Sequence, residues 1–171
     1  MASGSLEEMI AHFNQIANRD VSDWVKERSQ TLIDQREPDN EWVDGVYEML
    51  ETLRQRGYKL AIVTSDTRKG TDQFLEATDS ELLFDVIIST EAHAVEKPNP
   101  EVLKPLFEQY EVQPEEIMMV GDTPNDIQTA VNAQLGYSVA VLTGVGEKES
   151  FTHADRVVDD ATAVLDILND I

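Results

Sequence analysis

EIMMVGDTPNDI, residues 116–127, changes character at its midpoint. Five apolar residues out of six (Ile117 to Gly121, after Glu116) form a run too short for a helix and without alternation, as in a strand buried on both faces. The run ends abruptly in Gly121-Asp122, and Pro124 then stands where the first turn of a helix tolerates it. A strand, a tight polar turn and a helix running to about Leu135 follow from those twelve residues.

The same grammar extends in both directions. KLAIVTS (59–65) is an apolar run with a polar end, and Thr67 to Thr78 after it is helical. FDVIIST (84–90) is a second strand, followed by a loop with Lys97, Pro98 and Pro100 and a helix from Glu101 to Tyr110. Downstream, SVAVLTG (138–144) is a fourth strand, ADRVVDD (154–160) a short fifth, and Ala161 to Ile171 a closing helix. Alternation of this kind predicts an α/β fold: a doubly wound, open parallel sheet with right-handed crossovers and helices on both faces. In such sheets the working residues gather at the carboxyl ends of the strands.

Before Gly57 the period is helical throughout. Leu6, Met9, Ile10, Phe13 and Ile16 make one face; Val21, Trp24, Val25, Arg28, Leu32 and Ile33 suggest a second helix, capped by Ser22 or Asp20. Pro38-Asp39-Asn40 interrupts the pattern. A third helix is expected from about Glu41 to Arg56, with Gly57 as its C′ glycine. Residues 1–38 are expected to be a partial helical cap, and residues 39–171 the α/β core. MASGS at the start reads as a disordered leader or cloning remnant.

Composition narrows the function. The 41% hydrophobic and 27% charged fractions over 171 residues are those of a globular domain with a proper core. No apolar run approaches the roughly 18–20 residues that cross a bilayer, and no basic-then-apolar leader is present, so a cytoplasmic setting is expected. Zero cysteines exclude disulfides, thiolate metal sites and cysteine nucleophiles. Thirteen basic against 34 acidic residues give a net charge of −21, which repels nucleic acid and anionic membranes alike. Neither is expected as a partner. A phosphorylated ligand is repelled at long range too, so a phosphate site here must rest on local positive charge and a metal.

Three strand ends carry residues suited to that task. The first ends in Thr64-Ser65-Asp66, the second leads into Glu96-Lys97-Pro98, and the third ends in Gly121-Asp122-Thr123-Pro124-Asn125-Asp126. Thr64 can donate to a non-bridging phosphoryl oxygen, Lys97 can neutralise developing charge, and Asp122 can ligate a hard cation such as Mg²⁺. Asp126, one helical turn on, either joins the metal or supports the first helical turn by its charge. Singly, a strand-end threonine is usually structural and a lone lysine is usually solvated; the combination is what is specific. Gly144 and Gly146 form a loop after the fourth strand that either faces the site or makes an ordinary turn, of which the turn is expected. Trp24, Trp42 and Met118-Met119 read as packing residues. His12, His93 and His153 lack ligand spacing.

VTS with Thr64, EKPNP with Lys97 and VGDTPNDI with Asp122 and Asp126 resemble the second, third and fourth motifs of haloacid-dehalogenase-superfamily phosphatases, in order and in spacing. The likeness covers roughly residues 42–171, and the helices before Pro38 resemble the end of the cap of the phosphoglycolate-phosphatase-like branch. The resemblance implies a Mg²⁺-dependent phosphatase of small phosphorylated metabolites, with a Rossmann-like core. It assigns Thr64 and Lys97 to catalysis, Thr64, Ser65 and Lys97 to phosphate binding, and Asp122 and Asp126 to the metal. In that family a nucleophilic aspartate attacks phosphorus, and a second aspartate two residues later acts as acid and base.

One motif departs from the pattern. No Asp-x-Asp occurs at any position, and nothing before Pro38 reads as a strand. The family pattern makes that strand the central one, between the strands ending in Thr64 and Asp122. Its removal leaves a slot about 10 Å wide, flanked by unpaired edges. Three repairs exist: direct pairing of the edges, a strand from another chain (including a homodimer by strand exchange), or a longer parent protein, of which the last is expected. The chain is therefore expected to be weakly active or inactive. The alternative class is a non-catalytic module that binds a phospho-ligand or a protein. A receiver-type signalling domain fits less well, because there Lys-Pro follows the last strand, and here it precedes Gly-Asp.

Overall fold

The structure is a computed structural model that describes residues 6–34, 41–89 and 95–171, with side chains described from Ile10 onward except at His12 and residues 29–34. The chain divides into two compact units, Met1–Asp39 and Asn40–Ile171. The expected leader MASGS and His93 lie outside the described residues.

The first unit holds two helices, α1 (Leu6–Ala17) and α2 (Ser22–Asp34), packed on each other. Their connection is fastened by Asn14, whose amide oxygen accepts the Val21 N–H at 2.7 Å and whose Nδ2 donates to Ser22 Oγ at 3.1 Å. Asp20 Oδ1 accepts the Ser22 N–H at 2.9 Å, so of the two expected caps it is Asp20 that meets the first turn. Hydrogen bonds from the Ser22 hydroxyl and N–H hold the Asp20 carboxyl below its ordinary range. The packing expected of Trp24 is not observed. Val25 is the buried residue, and Trp24, about 100° round the helix, is 61% exposed.

The second unit alternates strand and helix. Its elements are α3 (Val46–Gln55), β1 (Ala61–Thr64), α4 (Arg68–Ala77), β2 (Val86–Ser89), α5 (Lys104–Gln109), β3 (Met118–Gly121), α6 (Pro124–Asn132), β4 (Tyr137–Val141), β5 (Arg156–Val158) and α7 (Val164–Asp170). The third helix begins five residues later than the periodicity suggests. Trp42 leaves the helical path to lie edge-on to Phe74 at 4.8 Å between ring centroids and stacked on Phe84 at 6.2 Å. Gly45, with φ of 76°, then starts the helix from a left-handed conformation. Gly57, with φ of 89°, ends it as expected. The helix expected over Glu101–Tyr110 is two pieces, a 3₁₀ turn (Pro100–Leu103) and α5. Pro105 has no N–H to continue the first into the second.

All ladders are parallel, and they form two sheets. β1 pairs with β2 in the register Thr64↔Ser89, and β3 pairs with β4, which pairs with β5. Among the described residues no ladder joins β1 to β3. Side chains join them instead. Val63 of β1 and Met119 of β3 enter one apolar cluster with Val86, Ile88, Val102, Leu103 and Ala130. Leu60 and Met118 enter another with Met49, Leu53 and Val164. The Met118-Met119 pair thus packs as the sequence suggests, one methionine to each cluster.

Burial follows the interruption. β4, paired on both sides, has four of its five residues buried. β1 has none, and Val120 in the middle of β3 is 38% exposed. β2 is more buried than β1, its only ladder partner among the described residues. Two apolar strands each present an unpaired edge where a doubly wound sheet is ordinarily continuous.

Candidate functional site

The site is built at the carboxyl ends of β1 and β3. After β1 the backbone turns sharply, with the Asp66 N–H donating to Thr64 Oγ1 at 3.0 Å and the Thr67 N–H to Asp66 Oδ1 at 2.7 Å. Thr67 then caps α4, accepting the Gly70 N–H at 3.0 Å. Thr64, Ser65 and Asp66 therefore sit on a loop gripped at both ends.

After β3 the turn is a reciprocal capping box. Asp126 Oδ2 accepts the Thr123 N–H at 2.9 Å and the Thr123 hydroxyl at 2.7 Å, while the Asp126 N–H faces Thr123 Oγ1 at 3.3 Å. Asp126 thereby performs the helix-supporting role that its position suggested. Its other oxygen, Oδ1, accepts Lys97 Nζ at 2.5 Å.

Lys97 couples the two sheets. Besides Asp126 its ammonium donates to the Val63 carbonyl at 3.0 Å, a main-chain group of the strand that ends in Thr64. The Lys97 side chain is 13% exposed and that of Asp126 6%, so the pair is largely out of water. A buried charge pair needs its remaining protons satisfied, and the Val63 carbonyl supplies one acceptor. The loop carrying Lys97 is tied down as well: the Lys97–Pro98 peptide is cis, and Asn132 at the end of α6 donates to the Pro98 carbonyl at 2.9 Å.

Asp122 stands apart from this pair. Its Oδ2 accepts the Val145 N–H at 3.0 Å and its carbonyl accepts the Gly146 N–H at 2.9 Å. Of the two readings of Gly144 and Gly146, the loop that faces the site rather than the ordinary turn fits their position, because both lie against Asp122. Among the described residues no three His, Cys, Asp or Glu side chains converge on a point. Asp122, a carboxylate at the end of a strand, is the donor type that hard cations take. Asp126, with both oxygens already accepting, is the counterion of Lys97.

Four contributors escape the sequence reading. The Val63 carbonyl and the Val145 amide are main-chain groups, invisible to residue type. Asn132 acts from a helix end remote in sequence. Ser89, the register partner of Thr64, is buried with no partner for its hydroxyl among the described residues, and the apolar run before it in FDVIIST disguises it. A polar residue at the end of an apolar strand was the one available signal.

Comparison with known proteins places the chain in a family. Residues 1–140 match the family described as haloacid dehalogenase-like hydrolase. Among curated proteins, the pyrophosphatase PpaX of Bacillus thuringiensis (strain Al Hakam) is 29% identical over 169 residues, covering 97% of this chain and 70% of that protein. A solved structure described as a predicted phosphoglycolate phosphatase from Haemophilus somnus 129pt superposes with a TM-score of 0.78 at 22% identity, over 98% of this chain and 79% of that one. CbbY from Rhodobacter sphaeroides, solved in complex with phosphate, superposes with a TM-score of 0.63 at 24% identity, over 71% of this chain and 55% of the other. At these identities the structures speak for the fold alone.

Proposed function

Because the chain belongs to the haloacid dehalogenase-like hydrolase family, we propose that it carries the phosphate-and-cation half of a Mg²⁺-dependent phosphatase of small phosphorylated metabolites. The observation that supports this reading is Lys97, fixed between the Val63 carbonyl and Asp126 and so between the strand ends that bear Thr64 and Asp122. A phosphoryl group seated there takes hydrogen bonds from Thr64 and Ser65, and the field of Lys97 offsets its negative charge. Asp126 holds Lys97 in place, and Asp122 holds the cation. Mg²⁺ bound there would draw charge from the phosphoryl oxygens.

The reacting carboxylate is not among these residues. The 171 residues contain no Asp-x-Asp, so this chain on its own is assigned weak or no turnover. A nucleophile in the unpaired region between β1 and β3 would face Thr64 from one side and Asp122 from the other. It could arrive on a strand of another chain, a second copy included. The setting is cytoplasmic in this reading, without nucleic acid or membrane as partner; no helix among the described residues is long and apolar enough to cross a bilayer.

The test is a Mg²⁺-dependent assay and binding titration with a panel of phosphomonoesters. The panel includes phosphoglycolate and is extended to pyrophosphate, because the relatives are described by those substrates. Saturable binding that Lys97→Met and Asp122→Asn weaken about tenfold or more, with little turnover, supports the reading. Turnover should appear when an apolar strand ending in Asp-x-Asp is supplied. Rapid phosphate release by the chain alone, abolished by Asp122→Ala, refutes the assignment of inactivity. A second reading, a non-catalytic phospho-ligand or protein-binding module, is favoured by the missing carboxylate; binding that stays without turnover after the strand is supplied selects it.

A further inference from the structure

The loop after β4 approaches Asp122 more closely than any side chain would allow. A Cβ built on Gly144 would overlap Oδ2, Cβ and Cγ of Asp122, and one on Gly146 would lie 2.5 Å from the Asp122 carbonyl oxygen and collide with the Phe151 ring. Neither glycine has a positive φ. Their small size, rather than their conformational freedom, is what the position uses. Glycine removes the one carbon that would hold the loop off the carboxylate, and the Val145 N–H then reaches Oδ2 at 3.0 Å.

Both ends of this loop are anchored. At its start the Leu142 N–H donates to the Val158 carbonyl at 3.0 Å, continuing the pairing of β4 with β5. At its far end Phe151, 4% exposed, is buried with Ile127 of α6 and Ala140 of β4. The middle is open to solvent, with the Val145 side chain 72% exposed. Only the backbone of residues 144–146 is therefore used, and it is used on Asp122.

We propose that Gly144, Val145 and Gly146 are a positioning clamp that fixes the Asp122 carboxylate in one rotamer and commits Oδ2 to the protein, so that Oδ1 is the oxygen presented to a divalent cation. Among the described residues no donor is recorded at Oδ1. The inference rests on the reading of Asp122 as the cation-binding group. A carboxylate free to rotate must be ordered when the ion binds; one already held is pre-paid, and partners of this kind are typically worth 10–100-fold in metal affinity.

The experiment uses Mn²⁺ as a paramagnetic stand-in for Mg²⁺ on the isotope-labelled chain. It follows broadening of the Thr123 and Val145 amide signals and, without metal, the couplings that report the Asp122 χ1 rotamer. The expected result is one Asp122 rotamer in the parent chain and a redistributed rotamer in Gly144→Ala. Mn²⁺ affinity should fall about tenfold in Gly144→Ala and in Val145→Pro, which removes the donor, and stay unchanged in Val145→Ala. An Asp122 rotamer and an Mn²⁺ affinity unchanged in both Gly144→Ala and Val145→Pro, with binding still lost in Asp122→Asn, overturn the clamp. Equal binding by the parent and Asp122→Asn overturns the cation reading beneath it.

Discussion

Lys97 Nζ lies 2.5 Å from Asp126 Oδ1, with both side chains largely withdrawn from water, although 29 residues separate them in the chain. The lysine comes from the loop after β2 and the aspartate from the first turn of α6. Their pairing converts two local features, a rigid loop and a capping box, into one cross-link between the loop after β2 and α6, while among the described residues the two sheets share no ladder.

Removing one partner of such a pair is worse than removing both. Asp126→Ala strands the Lys97 ammonium with only the Val63 carbonyl and also dismantles the cap of α6. It is expected to cost about 3–5 kcal/mol, read as a fall in the urea midpoint. Adding Lys97→Met to that variant should restore part of the loss. An Asp126→Ala chain within about 1 kcal/mol of the parent would contradict the pairing described here.

Acid sensitivity should trace in part to Asp85, at the entrance to β2. Burial pushes its carboxyl up, but hydrogen bonds from the Leu60 N–H, Arg54 and Lys59 outweigh that and leave it below the ordinary carboxylate range. A depressed folded-state value means stability that is present above the unfolded value, about 3.9, and is lost as pH falls through the folded one. Asp85→Asn should therefore lower the melting temperature at pH 7 and differ little from the parent near pH 2. A difference that grows in acid would reverse the sign.

Hydrogen exchange should separate the strands. Amides of β4, bonded to neighbours on both sides, should be the slowest in the sheet; alternate amides of β1 and β3, facing no ladder partner, should exchange orders of magnitude faster. A matching apolar strand supplied in trans should slow the fast set. Uniform protection across β1, β3 and β4 would show that the two edges are already paired.

Trp42 should matter for stability out of proportion to its place outside any helix or strand. It meets Phe74 of α4 and Phe84 before β2. Trp42→Ala is expected to cost about 3 kcal/mol, measured by thermal or urea unfolding, and Trp42→Phe a fraction of that. Equal effects of the two would place the cost elsewhere than in the ring contacts.

The order of elements in the second unit was legible from residue type alone, because buried parallel strands must be apolar runs and their ends must be polar. KLAIVTS, FDVIIST, EIMMVGD and ADRVVDD each contain the strand observed, shortened at its ends, and the strand expected over SVAVLTG starts one residue earlier, at Tyr137, and stops at Val141. Thr64, Lys97, Asp122 and Asp126 stood out for the same reason, as polar groups at the ends of apolar segments. What residue type could not convey is which atom meets which. That Asp126 holds Lys97, that Lys97 also takes the Val63 carbonyl, and that two glycines bring the Val145 amide onto Asp122 were decided by tertiary structure. These contacts join groups 23 to 34 residues apart, two of them main-chain atoms common to every residue. Local pattern dictates where a chain bends and which face it buries; only packing brings distant backbone and side chain to hydrogen-bonding distance.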